Sequence, residues 1–563
     1  MKSLFKKEYS LLKENEMVTK SLEHWAEVQP DKTFVYYGEE KLSVTFQQFN
    51  RMANSIAHSL IDKGIVKGDR ICVFMKNPYI TTLAMFGIWK SGAVFCPVNF
   101  NFEGRLLSYQ LKDTNPKILL TEEELVPALK EISDGISMIE EVVYYSNTAA
   151  SSGEAKGNSF EKLLENKSAN PEVELNFWDT ANIIYTSGTT GPAKGVVQSH
   201  RWINGYTHNF RKLMNSSDVV YNDLPLYHVG GAFANVARAA YVGCTIGLWN
   251  KFSPTEFWQR IDECGASSAI LLDVMIPWLM NAKPTAEDKK NTLNKVHMQP
   301  LPNYHHKVAD RFGFDYVSAG FGQTESGNPL VGLIIETGED EGTPKTLQKG
   351  YSRAEMLNRA EQLGITTIDG KKELKKGFMG KPSALFDVAI LNERDEELEP
   401  GEMGQIALRP HVPDIVLTEY FNKPDNTVKA MKNCWFHTGD AGYLDNDGCF
   451  YFVDRLGDVI RSRGEKFSSY QLEDIINEHS QVDLCAAFPI PAEVGDEDEA
   501  AVYIVLKEGI EVSEESIIEW IKQKTPKFMW PKVIRFTDEL PRTPSNKIQK
   551  HQLRKMLEKE MTM

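Results

Sequence analysis

Two periodicities alternate along most of the chain. Between about Val35 and Phe100, short apolar runs ("TFVYYG", "RICVFMKN", "AVFCPVNF") read as strands, while "TFQQFNRMANSIAHSLIDKG" and "TTLAMFGIWKSG" between them carry apolar residues at helical spacing. Strand, helix and strand in that order predict βαβ units on a largely parallel sheet. The alternation returns in "KILLTEEELVPALKEI", "CTIGLWNKFSPTEFWQRIDECG" and "SSAILLDVMIPWLMNA". From about Gly377 to Tyr451 the texture changes to short strands with turn signals, which predicts a β-rich subdomain. After Arg455 comes a compact alternation of helix "SSYQLEDIINEHS", strand "AAVYIVLKEG", helix "SEESIIEWIKQK", strand "KVIRFTD" and a last helix. The expected fold class is therefore α/β. A large domain over 1–455, with two α/β subdomains and a β-rich one, precedes a small α+β domain over 456–563.

One stretch breaks the alternation. Ile334 to Gly377 is long, polar and charged, and within it Ser352 and Glu355 form a capping box while Gly364 supplies a C-cap. A short exposed helix from Arg353 to Leu363 is predicted, on a surface insertion over 337–376.

Composition adds little to this picture except by exclusion. A length of 563 residues, 42% hydrophobic and 25% charged, suits a globular chain of several domains. The seven cysteines are scattered, with no C-x-x-C pair, which argues against a zinc site or a disulfide framework and for reduced thiols in a cytoplasmic setting. The first twenty residues are charged throughout and read as an amphipathic helix rather than a secretory signal. No apolar run reaches the length of about 18 residues needed to span a membrane, which leaves peripheral membrane contact and a homodimer open. A net charge of −15 argues against nucleic acid as a partner. Between Lys522 and Lys559, however, eleven Lys or Arg face three acids, so the C-terminal tail is basic and fits a polyanionic ligand or a solvated helix.

The candidate chemistry centres on "YTSGTTGPAKGVVQSH", Tyr185 to His200, a bare loop after an apolar run. Gly188 and Gly191 let backbone N–H groups converge, Thr186, Ser187, Thr189 and Thr190 add hydroxyl donors, and Lys194 adds a positive charge. Together these suit a pyrophosphate. The loop matches neither a Walker A sequence, a nucleophile elbow nor a dinucleotide turn.

"YTSGTTGPAKG" resembles the signature loop of the adenylate-forming superfamily, which includes acyl-CoA synthetases, luciferases and peptide-synthetase adenylation domains. "LPLYHVGG", "GFGQTE", "WFHTGD", "DRLGDVIRSRGEKFSSYQLED" and "LPRTPSNKI" follow in the family's order and span most of the chain. Within the superfamily, "YFVDR", "RGEKFSSYQLEDI" and "MQPLPNYHHKVADRFGF" look most like the crotonobetaine/carnitine-CoA ligase type. The resemblance implies that a small-molecule carboxylate attacks the α-phosphate of Mg·ATP to give an acyl-adenylate and pyrophosphate. Coenzyme A then displaces AMP. It also implies a mobile C-terminal domain.

Residue roles follow from the same resemblance. Thr186 to Lys194 would hold the phosphates, Glu325 the magnesium ion, and Thr324 the α-phosphate. In the Gly320-Phe321-Gly322 segment, Phe321 would stack on adenine, while Asp440, with Arg455 nearby, would take the ribose hydroxyls. Lys547 would bridge carboxylate and α-phosphate, Gly457 would be the hinge, and Arg463, Gly464 and Glu465 would complete a coenzyme A tunnel. His228, Val229, Gly230 and Ala319 would line the acyl pocket. Gly457 stands where relatives commonly have Asp or Lys, and Asn546 where they have Gly; both tolerate unusual backbone angles. Read alone, Asp440 and Arg455 are ordinary ion-pair members and Glu325 a loop acid. An adenylation enzyme loading a carrier protein, which would be expected beside a carrier domain, and a non-catalytic nucleotide-binding protein are the competing readings. The pocket segments Tyr227 to Asn235 and Ser318 to Gly322 hold aromatic rings but no acid. That favours a small or medium acyl chain over carnitine, whose quaternary ammonium needs a counter-charge.

Overall fold

The computed structural model describes residues 17–133, 136–146, 158–186, 193–339, 341–462, 465–492, 498–510, 512–542 and 547–562. These fall into two compact units. The first takes in the described residues of Met1–Thr186, Lys194–Val388 and Leu408–Cys434; the second takes in those of Ser187–Ala193, Ala389–Ala407 and Trp435–Met563.

In the first unit, one sheet has seven strands in the order Glu419–Tyr420, Lys194–Ser199, Thr180–Thr186, Val94–Pro97, Arg70–Phe74, Ile118–Glu122 and Glu141–Tyr145. The last five of these run parallel, as the βαβ texture predicts. Phe46–Asp62 leads into Arg70–Phe74, and Pro78–Lys90 crosses from that strand to Val94–Pro97. Phe46–Asp62 begins at a capping box of Thr45 and Gln48, and Pro78–Lys90 begins at Asn77, whose side chain accepts from the N–H groups of Tyr79 and Ile80. The second of these helices is apolar on nearly every side and is buried throughout except at Tyr79. It packs tightly on the first at Gly87, where a Cβ would stand 2.4 Å from Ile56 Cγ2.

A second sheet of this unit runs through Phe378–Pro382, Gly327–Ile335, Tyr316–Gln323, Lys295–Gln299, Ser268–Leu272, Val219–Asn222, Thr245–Leu248, Thr33–Tyr37 and Leu42–Thr45. The polar stretch after Ile334 packs onto this sheet. Its helix, Arg353–Gln362, has the expected capping box, and Gly364 takes φ +69°. The helix is exposed over most of its length, as expected, but one face is not, because Met356 and Ala360 are buried against Leu213, Tyr316, Val331, Leu333 and Ile365. The next strand, Thr366–Asp369, pairs in parallel with Gly327–Ile335. Two apolar residues one turn apart suffice to dock an otherwise polar helix, a signal too sparse to stand out in a charged sequence.

The second unit contains the antiparallel pair Trp435–Leu444 and Phe450–Arg455. It also holds a three-stranded sheet in which Asp498–Leu506 lies between Val482–Pro491, antiparallel, and Val533–Phe536, parallel. One set of its core residues joins Leu472, Ile476, Ile517 and Ile521 of the helices Ser469–Asn477 and Glu514–Lys524 to Val502 and Ile504. Another joins Leu553 and Leu557 of the terminal helix to Ala486, Phe488 and Tyr503. The small α+β arrangement expected after Arg455 is present.

Candidate active site

The strands on either side of the bare loop form a β-hairpin of the first unit. Thr180–Thr186 and Lys194–Ser199 pair antiparallel to their ends, so Thr186 faces Lys194 across the hairpin and its Oγ1 donates to the Lys194 carbonyl at 3.4 Å. Tyr185 Oη is tied down beside it, donating to Asp113 at 2.7 Å and accepting from Thr114 at 3.1 Å. Ser187, Gly188, Thr189, Thr190 and Gly191 lie outside the described residues.

Lys194 and Glu325 converge on a residue that sequence reasoning missed. The Lys194 ammonium lies 4.1 Å from the centre of the Tyr420 ring, and Tyr420 Oη donates to Glu325 Oε1 at 2.9 Å. Burial lowers the pKa of Lys194, against the opposing pull of Glu325. Tyr420 belongs to a two-residue strand at the sheet edge, where it pairs with Val196. A lone tyrosine on so short a strand leaves no periodic signal.

Glu325 is anchored through its backbone. Its carbonyl accepts from Leu417 N at 2.6 Å and from Trp202 Nε1 at 3.3 Å, and the preceding Thr324 carbonyl accepts from Gln198 Nε2 at 2.8 Å. Trp202 is fully buried and stacks on Tyr206 at 4.8 Å. The glycines of "GFGQTE" answer to close packing. A Cβ on Gly320 would stand 2.6 Å from the Leu330 carbonyl oxygen, and one on Gly322 would stand 2.4 Å from Asn328 Oδ1. Both atoms belong to the neighbouring strand of the hairpin. Phe321 is buried in register with Leu330, and Ala319 is buried without exposure.

The half-buried His228 lies beside Tyr227, ring centres 4.5 Å apart, and its carbonyl accepts from Ala232 N at 3.1 Å. Val229 is half-buried, and Gly230 opens a π-helical stretch, Gly230–Ala237. Gly231 sits where a Cβ would stand 2.6 Å from the carbonyl oxygens of Leu224 and Pro225.

In the second unit, Asp440 and Arg455 are directly opposite in the antiparallel pair, with Arg455 Nη1 and Asp440 Oδ1 2.6 Å apart. Asp440 is buried, whereas the Arg455 side chain is 41% exposed. Gly457 lies in a single turn, Leu456–Asp458, with open space where a Cβ would project. Its carbonyl accepts from Arg554 Nη2 at 2.6 Å. Glu465 starts a strand paired with Val459–Ser462, while Arg463 and Gly464 lie outside the described residues. Lys547 is exposed.

Two family models match the chain. The family model described as AMP-binding enzyme matches residues 22–413, and that described as AMP-binding enzyme C-terminal domain matches 471–547. The chain is similar to the crotonobetaine/carnitine–CoA ligase of Salmonella arizonae, 28% identical over 543 residues that cover 94% of this chain and 97% of that protein. An anthranilate CoA ligase in complex with anthranoyl-AMP superposes with a TM-score of 0.78 at 20% identity, covering 97% of this chain and 98% of its own. An O-succinylbenzoate coenzyme A synthetase from Bacillus subtilis, in complex with ATP and magnesium, superposes with a TM-score of 0.75 at 22% identity, covering 95% of this chain and 99% of its own.

Proposed function

Because this chain belongs to the AMP-binding enzyme family, we infer that it is an AMP-forming acid–thiol ligase that converts a carboxylate, ATP and coenzyme A into an acyl-CoA, AMP and pyrophosphate. The observation that carries this reading is the Lys194–Tyr420–Glu325 cluster at the base of the Thr186 hairpin. A cation and a carboxylate gathered on one ring suit a triphosphate and its counter-ion. In the first step the substrate carboxylate oxygen bonds to the α-phosphorus as the bond to pyrophosphate breaks. The thiol sulfur of coenzyme A then attacks the acyl carbon, its proton leaves to solvent, and AMP departs.

The metal reading rests on one donor set. Among the described residues no three His, Cys, Asp or Glu side chains gather as a cage, so the chain offers the Glu325 carboxylate. That fits Mg²⁺, which binds through one or two carboxylates and completes its octahedron with substrate phosphates and water. When bound, the ion would neutralise phosphate charge.

The chain's own groups supply the rest. Lys194 and Thr186 hold phosphate oxygens, and Thr324 donates to the α-phosphate. Asp440, oriented by Arg455, accepts from the ribose hydroxyls. Lys547 stabilises charge developing at the α-phosphate during adenylation, and the 463–465 segment serves thioester formation. A hinge at Gly457 lets residues 456–563 exchange these two roles. His228 shapes the carboxylate channel, since a carboxylate is already ionised at pH 7. The acyl group is small or medium-sized. A reducing, cytoplasmic setting suits the seven cysteines, none of which is joined in a disulfide.

Incubation with ATP, Mg²⁺, coenzyme A and a panel of carboxylates, followed by mass spectrometry for AMP and thioesters, tests the reading. AMP with a new thioester supports it. Absence of both across the panel overturns it.

A further inference from the structure

We propose that Arg238 makes the far end of the acyl pocket an anion site, so that the preferred substrate is a dicarboxylic acid whose second carboxylate meets this guanidinium. The proposal rests on the ligase reading above and concerns the substrate class of that same site.

Arg238 follows directly on the π-helical stretch that begins two residues after His228. It is 5% exposed and lines a half-open pocket with Phe210, Lys295, His297, Ser318, Leu333 and Met356. Ser318 opens the Ser318 to Gly322 segment expected to line the acyl pocket, and on the strand Tyr316–Gln323 its side chain shares a face with Gly320 and not with Ala319, so this cavity continues along that face of the segment. Its walls are mostly apolar, and the helix bearing Met356 closes one side.

The charges in this cavity do not balance. Arg238 Nη2 donates to Asn235 Oδ1 at 3.1 Å, but its Nε has no acceptor, and among the described residues no carboxylate forms an ion pair with it. The nearby acid is already engaged: Asp218 Oδ1 lies 2.8 Å from Lys295 Nζ and accepts from Ser267 Oγ at 2.7 Å. His297 is hydrogen-bonded at both ring nitrogens, to Ser318 Oγ at 3.1 Å and to Gln299 Oε1 at 2.9 Å. Burial drops its pKa to about 4, which leaves it neutral at pH 7. Burial also lowers Arg238, to about 10, which leaves it charged. A desolvated guanidinium without a counter-ion is costly, and a carboxylate satisfies it bidentately in a geometry that ammonium groups do not share. A quaternary ammonium would meet a like charge here.

The test uses the full chain with ATP, Mg²⁺ and coenzyme A. It compares malonate, succinate, glutarate and adipate with monocarboxylates of equal carbon number, and with carnitine and crotonobetaine. The best dicarboxylate should exceed its monocarboxylate partner in kcat/KM by about 100-fold, the scale set by desolvated charge pairs. Arg238→Met should collapse that ratio by at least about 10-fold, mainly through KM, and Arg238→Lys should keep part of it. If Arg238→Met does not fold, as judged by its melting transition, the parent ratios and the Lys variant decide. Turnover of monocarboxylates or betaines in preference to dicarboxylates overturns this proposal while leaving the ligase reading intact. A ratio unchanged in a folded Arg238→Met protein does the same. Turnover of no acid at all overturns both.

Discussion

Two lysines in this molecule sit over tyrosine rings beside a glutamate, and their surroundings give them different fates. In the first unit, Lys194 lies 4.1 Å from the Tyr420 ring centre, and Tyr420, rather than the lysine, bonds Glu325. In the second unit, Lys550 lies 4.5 Å from the Tyr470 ring centre but contacts Glu473 Oε1 directly at 2.8 Å and donates to Ser469 Oγ at 2.5 Å. Asp454, without exposure, closes that network by accepting from Ser468 and Ser469. Burial works against the charge of Lys550, yet Glu473 and Asp454 outweigh it and raise its pKa, whereas burial dominates at Lys194 and lowers it. A lysine whose partners are all supplied by the protein holds a fold together. One that lies over a ring whose hydroxyl holds the neighbouring carboxylate fits the proposed role at a phosphate.

The largest effect expected from this contrast is on stability. Lys550→Met should destabilise the protein by about 3–5 kcal/mol, because it strands Glu473 and Asp454 without their cation. Denaturant unfolding measures this. A loss below about 1 kcal/mol accompanied by loss of ligase activity would make Lys550 a functional lysine and erase the contrast.

Glu325→Gln should do the reverse. Adenylation should fall by about 10²–10³-fold, the scale for removing one preorganised electrostatic group, while the unfolding midpoint stays close to that of the parent. Pyrophosphate release at saturating ATP, followed against magnesium concentration, is the measurement. A variant that loses stability and activity together would place Glu325 in the structural class.

Lys547→Ala separates a third lysine from both. It is exposed, so stability should barely change. Adenylate formation should drop by about 10²-fold, and thioester formation from a synthetic acyl-adenylate should survive. Equal loss in both half-reactions would mean that the lysine acts through the fold of the domain instead of at the α-phosphate.

Sequence reasoning reached these sites unevenly, and the reason is physical. Strands such as Arg70–Phe74 and Val94–Pro97 announce themselves by local pattern, as does the helix start at Ser352, whereas the same pattern takes the cap at Asn77 for the end of a strand and starts its helix at Thr81. Glu325, Asp440 and Lys547 stand within contiguous motifs and could be singled out one by one. Tyr420 and Arg238 could not. Tyr420 matters because edge pairing with Val196 brings it to Lys194, and Arg238 matters because Asp218, the nearby acid, is spent on Lys295. The burial of Met356 and Ala360 was hidden for a similar reason, since a docked helix needs only a few apolar contacts. What a residue lacks, or what a distant segment takes from it, leaves no trace in local spacing.

The smallest expected effect concerns Gly457, where the structure demands no glycine. Its φ lies outside the left-handed region, and an added Cβ would meet nothing within 4 Å. Gly457→Ala should therefore change stability by no more than about 0.5 kcal/mol, the scale of a neutral surface substitution. If the glycine is there for motion, its value lies in a backbone angle this conformation does not use. Gly457→Pro fixes φ near −65°, so adenylation should persist while overall thioester formation slows. Alanine, which narrows the backbone range without locking it, should give a lesser slowing of the same step. Single-turnover assays of the two half-reactions, run on both variants, decide. A proline variant that forms thioester at the parent rate would remove Gly457 as a hinge. One that slows adenylation as much as thioester formation would show that the turn supports the fold of its unit rather than a change of conformation.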